Sequence, residues 1–105
     1  MSTFCFDIDG VLCTNPPDLN YAQVEPQNDV IVLVNRLREQ GHTILLYTGR
    51  GSGTGKDWSK LTEQQLESWG VRYDRLVFGK PGADVYVDDK AVSLHDWRRL
   101  LDAVG

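Results

Sequence analysis

Short hydrophobic runs alternate along the chain with segments in which hydrophobic residues recur every three or four positions. The short runs are rich in aromatic or β-branched residues and are bounded by turn formers, which favours β-strands. They comprise residues 3–8, 43–47, 75–78 and 84–87. The helical spacing predicts three amphipathic helices between and after these runs. The order β, α, β, α, β, β, α indicates an α/β fold, a three-layer sandwich whose mostly parallel, Rossmann-like sheet is flanked by helices.

Polar residues mark where the predicted helices begin. Asn28 is expected to cap the first helix, and Ser93 the third, with Asp96 at its third helical position. The second helix has the pattern of a capping box, in which Thr62 is the N-cap and Gln65 lies three residues further on. The strand at 43–47 is mostly apolar, so we expect helices to cover both of its faces.

Length and charge narrow the classes of function. A chain of 105 residues is expected to form one domain, residues 1–105. Its net charge of −4 argues against nucleic acid or an anionic membrane as a partner. No apolar run is long enough for a bilayer span, and the N-terminus does not resemble a signal peptide. Cys5 and Cys13 lack the spacing of a zinc site, so we expect reduced thiols in a cytoplasmic protein.

Polar side chains follow each of the four predicted strands. In a parallel sheet the carboxyl ends of the strands meet at one edge, where α/β proteins bind their ligands. A single Asp at a strand end usually caps a turn, but six polar residues after four consecutive strands indicate a site. They are Asp7, Asp9, Thr48, Lys80, Asp88 and Asp89.

Four carboxylates at one edge would repel each other. Two of them about 4 Å apart cost on the order of 4 kcal/mol at an effective dielectric constant near 20. One nearby lysine would neutralise them only in part. Mg²⁺ suits a site with one or two carboxylates and a substrate phosphate, so we expect Mg²⁺ as the cofactor.

The glycine-rich segment after the second strand does not fit a nucleotide-binding motif. A P-loop requires Gly where Arg50 stands and Ser or Thr where Asp57 stands. Two interpretations remain open for this segment. It is either a plain surface loop or a mobile loop from which Arg50, Lys56 or Trp58 contacts the substrate.

The sequence Asp7-Ile8-Asp9-Gly10-Val11 resembles the first motif, DxDx[TV], of the haloacid dehalogenase-like (HAD) superfamily. Thr48, Lys80 and the pair Asp88-Asp89 resemble its second, third and fourth motifs, in order and at matching positions. The strings FGKP and VDDKA are similar to those of small HAD phosphatases of capsule and surface-polysaccharide biosynthesis. The resemblance covers essentially the whole chain.

The resemblance implies a Mg²⁺-dependent phosphohydrolase that acts on a small phosphomonoester, for example a sugar phosphate, through an aspartyl-phosphate. Asp7 would be the nucleophile, and Asp9 would be the general acid and then the general base. Thr48, Gly49 and Lys80 would hold the phosphoryl group. Mg²⁺ would bind the carboxylates of Asp7 and Asp89 and the carbonyl of Asp9, with Asp88 acting through water. Which of Asp88 and Asp89 is the direct ligand remains open.

Many members of the superfamily carry a cap domain, whereas only about thirty residues separate Asp9 from the second strand here. We therefore expect no cap, only a flap near residues 11–25. Substrate selection would fall to this flap, to the glycine-rich loop or to a neighbouring subunit of a homo-oligomer. Two alternatives compete with the phosphatase. They are phosphoryl transfer to another acceptor, as in mutases, and a non-catalytic HAD-like binding module.

Overall fold

A computed structural model describes residues 1–52 and 55–104 of the chain. Three strands and three α-helices alternate, and two short 3₁₀ turns lie between the first strand and the first helix. In chain order they are β1 (Thr3–Asp7), the 3₁₀ turns Pro17–Leu19 and Tyr21–Gln23, α1 (Asn28–Glu39), β2 (Thr43–Thr48), α2 (Ser59–Ser68), β3 (Arg75–Phe78) and α3 (Leu94–Val104). Within the described residues, no helix is both long enough and apolar enough to cross a membrane.

The three strands form one parallel sheet in the order β1-β2-β3. Phe6 of β1 pairs with Leu46 of β2, which in turn pairs with Leu76 of β3. Each strand is connected to its parallel neighbour through a helix, which is the connection that a parallel pair requires. The predicted α/β class, a parallel Rossmann-like sheet flanked by helices, is confirmed.

The core lies mainly on one face of the sheet. Ile44, Leu46 and Thr48 alternate along β2 and are fully buried, whereas Leu45 and Tyr47 on the other face are half-buried. The expectation that helices bury both faces of this strand is therefore met completely on only one of them. The buried hydrophobic residues that form the core are Phe6, Ile8, Leu12, Cys13, Val30, Ile31, Val34, Ile44, Leu46, Leu66 and Val71.

One of the three predicted helix starts is wrong, and another is confirmed to within one residue. Asn28 is the first residue of α1 rather than its cap, and α2 begins at Ser59, three residues before the predicted Thr62. Asp57 explains the early start, because its carboxylate accepts hydrogen bonds from the Ser59 amide at 2.9 Å and the Ser59 hydroxyl at 2.6 Å. The start of the third helix is confirmed, since the Asp96 amide donates to the Ser93 hydroxyl at 3.1 Å.

The predicted fourth strand, residues 84–87, is not a strand in this structure. Val85 and Val87 are 74% and 94% exposed. The Tyr86 hydroxyl between them donates to the Pro81 carbonyl at 2.6 Å and accepts from the Ala83 amide at 3.2 Å. These bonds fold the segment back on the loop after β3, so the apolar pattern that predicted a buried strand faces solvent.

Candidate active site

A tight turn after β1 places Asp7 and Asp9 at the carboxyl edge of the sheet. The Ile8 carbonyl accepts hydrogen bonds from the amides of residues 11–13 at 3.2, 2.9 and 3.2 Å. Gly10 has φ of +85°, a conformation that side chains with a Cβ rarely adopt. The chain therefore reverses directly after the strand and leaves both carboxylates at the strand end.

Lys80 brings a positive charge to Asp7. Its ammonium group lies 2.7 Å from one Asp7 carboxylate oxygen, and the Ile8 amide donates to the other oxygen at 2.8 Å. The Lys80 amide donates to the Thr48 carbonyl at 3.1 Å, which ties the loop after β3 to the end of β2. The ammonium also lies 4.5 Å from the centre of the Tyr86 ring, within the range of a cation–π interaction.

Gly49 lets the loop that carries Lys80 approach the end of β2. A Cβ built on Gly49 would lie 2.8 Å from the Lys80 carbonyl oxygen, too close for any larger residue without a shift of the backbone. The preceding Thr48 is fully buried, and its hydroxyl accepts a hydrogen bond from the Arg50 amide at 3.1 Å. Gly49 therefore lines the cleft together with Lys80, whereas the buried Thr48, also predicted to hold the phosphoryl group, does not line it.

Asp9 is held by Arg50 rather than by a lysine. Arg50 Nη2 donates to Asp9 Oδ1 at 2.8 Å and Nε donates to Oδ2 at 3.0 Å, so the pair is bidentate. The Arg50 side chain is 0% exposed and that of Asp9 is 16% exposed. Arg50, one of the three residues proposed to contact substrate, instead has its acceptors inside the protein, as a buried guanidinium requires.

Thr62 and Gln65, the predicted capping box, supply the remaining acceptors of that guanidinium. Arg50 Nη1 donates to the Thr62 hydroxyl at 3.0 Å and to the Gln65 side-chain oxygen at 2.6 Å. Gln65 in turn donates to the Tyr21 carbonyl at 2.7 Å, and the guanidinium carbon lies 4.8 Å from the Tyr21 ring centre. The residues that resembled a helix cap therefore connect α2 to the site and to the loop after β1.

An open cleft of about 240 Å³ lies above these ion pairs. Its lining residues come from the loops after β1, β2 and β3. They are Asp7, Asp9, Pro16, Tyr21, Gly49, Lys80, Pro81, Gly82 and Tyr86. The structure thus brings together four of the predicted site residues, Asp7, Asp9, Gly49 and Lys80.

Lys56 and Trp58, the other proposed substrate contacts, do not line the cleft. Trp58 packs edge-on against the Tyr21 ring with 5.0 Å between centroids, and the Lys56 ammonium lies 4.4 Å from the Trp58 ring centre. Trp58 therefore packs against Tyr21, which does line the cleft, and Lys56 packs against Trp58. Gly53 and Thr54 of the predicted mobile loop lie outside the described residues.

Asp88 and Asp89, the predicted acidic fourth motif, are exposed and do not line the cleft. The Lys90 amide donates to Asp88 at 2.9 Å, and this bond lowers the pKa of Asp88 below its ordinary value. The predicted cluster of four carboxylates is therefore not assembled, because the segment that carries two of them does not pair as a fourth strand.

The fit of Mg²⁺ to this arrangement is partial. Across residues 1–52 and 55–104, no group of three His, Cys, Asp or Glu side chains is placed to hold a metal ion. Asp7 and Asp9 do offer the one or two carboxylates that Mg²⁺ commonly uses. Both, however, are already neutralised by Lys80 and Arg50.

Cys13 lies beside Asp9 but is not suited to act as a nucleophile. Its thiol is fully buried and lies 3.5 Å from an Asp9 oxygen and 3.6 Å from the Ile8 carbonyl. Burial, together with the neighbouring Asp9 carboxylate, raises the pKa of Cys13 to about 12. The group is therefore a neutral thiol at neutral pH.

Sequence reasoning did not name the residues that form the walls of the cleft. Pro16 and Tyr21 lie within the predicted flap, residues 11–25, which was expected to take part in substrate selection, but neither was singled out. Tyr86 lay inside the predicted fourth strand. None of these residues had a pattern that separates a wall residue from a packing residue. The missed lining residues are Pro16, Tyr21, Pro81, Gly82 and Tyr86.

No family model and no curated protein matches the chain. Among solved structures, a structural-genomics target from Vibrio cholerae is similar over 100% of both chains, with 26% identity and a TM-score of 0.78. A Pnkp1/Rnl/Hen1 complex matches 84% of this chain at 22% identity with a TM-score of 0.62. A Pnkp1/Rnl/Hen1 RNA repair complex matches 98% of it at 20% identity with a TM-score of 0.60. The present chain spans only 30% and 32% of the chains matched in those two complexes, and the likeness shows the fold alone.

Proposed function

We propose that the protein is a phosphohydrolase of the HAD type that cleaves a small phosphomonoester through an aspartyl-phosphate. One observation carries the proposal. Asp7 and Asp9, which match the first motif of that superfamily, and Lys80, which matches the third, share the lining of one cleft with Gly49, the residue after Thr48 of the second motif. The Asp7–Lys80 distance of 2.7 Å puts a carboxylate nucleophile beside the cation that would receive the phosphoryl oxygens.

The proposed reaction has two steps. An Asp7 oxygen forms a bond to phosphorus while the ester P–O bond breaks, and the departing oxygen takes a proton from Asp9, which has to enter this step in its protonated form. Asp9, now a carboxylate, accepts a proton from a water molecule that attacks the aspartyl-phosphate. The bond between Asp7 and phosphorus breaks, inorganic phosphate leaves, and a proton remains on Asp9. Lys80 stabilises the negative charge on the phosphoryl oxygens in both steps.

We also propose that turnover requires Mg²⁺, which can be tested by measuring activity with and without the ion. Asp7 and the backbone of Asp9 are the groups that would hold it, and the bound ion would supply further positive charge for the phosphoryl group. The steps above rest on the residues of the chain alone, because Asp7 and Asp9 are engaged by Lys80 and Arg50 in this structure. Activity that persists after treatment with a chelator would remove the metal from the proposal.

The proposed substrate is a small cytoplasmic phosphomonoester such as a sugar phosphate, with polysaccharide biosynthesis as the proposed setting. The size of the cleft, about 240 Å³, favours a small leaving group. Residues 1–52 and 55–104 form no cap over this open cleft, and a second subunit of a homo-oligomer is a candidate cover. A mutase would have to keep water from the aspartyl-phosphate, which an open cleft does poorly.

Asp7→Asn tests the proposal against a non-catalytic module. The assay is phosphate release from an aryl phosphate and from a panel of sugar phosphates, with Mg²⁺ present. We expect the variant to lose all turnover and keep its fold, because the amide has nearly the shape of the carboxylate but is not a nucleophile. Glu39→Gln is the matched control, since Glu39 is exposed and pairs with Arg72 on the surface, and it is expected to leave turnover unchanged.

Two results would contradict the proposal. The first is wild-type turnover that survives in Asp7→Asn. The second is a folded wild-type protein that releases no phosphate from any member of the panel and still binds phosphorylated compounds, which would favour the binding module.

A further inference from the structure

Arg50 uses every donor of its guanidinium inside the protein. Nε and one hydrogen of Nη2 bind the two oxygens of Asp9, and Nη1 binds Thr62 and Gln65. The second hydrogen of Nη2 faces the Cys13 sulfur at 4.0 Å. An arginine has five such donors, and all five are accounted for.

This saturation excludes a direct role for Arg50 in binding substrate. Its side chain is 0% exposed and does not line the cleft. A phosphoryl group could recruit the guanidinium only if bonds to buried partners were broken. Lys80 differs, because its side chain is 22% exposed and lines the cleft. Arg50 therefore acts on the site only through the residue that it holds.

The bidentate bond fixes the plane of the Asp9 carboxylate. A carboxylate has about four lone-pair sites, and the fork of Arg50 uses one on each oxygen. Oδ1 also accepts from the Cys13 thiol at 3.5 Å. Oδ2 therefore keeps the further site for proton transfer in the cleft, which Asp9 lines. Proton transfer is efficient only when the group is held within hydrogen-bond reach of the reacting oxygen.

We infer that Arg50 is a positioning residue that orients Asp9 for proton transfer to the leaving group, and that Thr62 and Gln65 of α2 hold Arg50 in place. The inference rests on the proposed function, in which Asp9 is the acid. It assigns a role to a residue outside the four motifs. It also explains why the inward face of α2 carries the hydroxyl of Thr62 and the amide of Gln65 beside the buried Leu66.

A purely structural role for Arg50 is the competing explanation. The same bonds connect α2 to Asp9 and, through Gln65, to the Tyr21 carbonyl. A structural role would lower stability and reduce all turnover alike. A positioning role would affect most those substrates whose departing oxygen needs a proton.

The test compares an alkyl phosphate with an aryl phosphate in Arg50→Lys. Lysine keeps the charge but cannot form the two-pronged bond. We expect kcat for the alkyl phosphate to fall about 10- to 100-fold, a part of the ~10²–10⁴-fold that proton transfer contributes. With the aryl phosphate, whose leaving group needs little protonation, kcat should change less than about 3-fold, an effect too small for lost proton transfer. Arg72→Lys, at the exposed pair with Glu39, is the matched control and should leave both values unchanged.

Thr62→Val provides a second variant in case Arg50→Lys does not fold. It removes one acceptor of Arg50 with almost no change in shape, and a smaller fall confined to the alkyl phosphate is expected. An equal fall on both substrates, or no fall on the alkyl phosphate, in whichever of the two variants folds would overturn the inference while the phosphatase stands. A wild-type protein without any turnover would instead overturn the proposed function, and this inference with it.

Discussion

The two carboxylates of the cleft lie two residues apart in the chain, yet their surroundings are opposite. On the Arg50 side, which comprises Asp9, Arg50, Thr62 and Gln65, the cation is fully buried and bonded on every donor. On the Lys80 side, which comprises Asp7 and residues 80–90, the cation is partly exposed and much of the chain faces solvent. The same type of ion pair is thus part of the core on one side and accessible from the cleft on the other.

For the proposed phosphohydrolase, this difference would separate two tasks, the positioning of an acid and the binding of the substrate. A group that positions an acid works best when it cannot move, and burial with full hydrogen bonding achieves that. A group that receives the substrate must exchange its own partner for the ligand, which requires some exposure to the cleft. Arg50 fits the first description and Lys80 fits the second.

The largest expected loss of stability follows a mutation on the Arg50 side. Arg50→Met removes the charge but keeps most of the volume. It deprives Asp9 of its counter-ion, and Thr62 and Gln65 of the donor that they share. Breaking a buried ion pair in this way costs about 3–5 kcal/mol. Urea unfolding of the variant and the wild type measures the loss. A decrease in the free energy of unfolding of less than about 1 kcal/mol is typical of surface ion pairs. Such a value would mean that the Arg50 and Lys80 ion pairs contribute similarly to stability.

Hydrogen exchange probes the same contrast without a mutation. Within the described residues, the amides of 85–87 have no hydrogen-bond acceptor, and their side chains are exposed. The amides of residues 62–66 lie in α2, where Thr62 and Leu66 are fully buried. We expect exchange at 85–87 to be at least ~100-fold faster, since exposed backbone opens with little free energy. Similar protection in both segments, followed by mass spectrometry, would show that the Lys80 side is better ordered than its contacts indicate.

Lys80→Met should change stability little and activity much. The Asp7–Lys80 pair is 32% and 22% exposed, so solvent screens it, and the free energy of unfolding should fall by less than about 1 kcal/mol. Phosphate release should nevertheless be lost, because the phosphoryl group loses its cation. Measuring both the free energy of unfolding and phosphate release of this variant distinguishes a role of Lys80 in stability from a role in binding the phosphoryl group. A stability loss as large as that of Arg50→Met would place Lys80 with the core residues.

The smallest effect is expected at Asp88. The hydrogen bond from the Lys90 amide lowers the pKa of Asp88 below 3.8, so the folded state favours the carboxylate. This contribution to stability is present above pH 3.8 and is lost as the pH falls through the lower pKa of the folded state. The wild type should therefore melt slightly above Asp88→Asn at pH 7, and the difference should vanish at acidic pH. A difference in melting temperature that grew at acidic pH would contradict this prediction.

The fold could be predicted from hydrophobic periodicity because β1, β2 and β3 coincide with short apolar runs, which are typical of buried strands. Periodicity failed at residues 84–87 because it records which residues could be buried, and Tyr86 instead forms bonds to its own loop. The local pattern at Thr62 and Gln65 was equally ambiguous. A polar pair three residues apart fits a helix cap, but it also fits two acceptors on one helix face that bind a distant cation.

The candidate site was predicted where a residue's role depends on the end of its own strand, as for Asp7, Asp9, Gly49 and Lys80. The sequence did not predict that the Arg50 side chain is buried, because its burial depends on α2 and on the turn at Gly10. No local signal marks an arginine whose partners lie 41, 12 and 15 residues away. Tertiary partners of this kind appear only when the chain is folded.

The raised pKa of Cys13 has a consequence for oxidative damage. Oxidants and alkylating reagents attack the thiolate, and a buried thiol with a pKa of about 12 offers very little of it at neutral pH. Cys5, in contrast, is exposed. A thiol-directed inhibitor or peroxide should therefore modify Cys5 first and leave the sulfur next to Asp9 reduced. The cysteine nearest the proposed acid is in this sense the less vulnerable of the two.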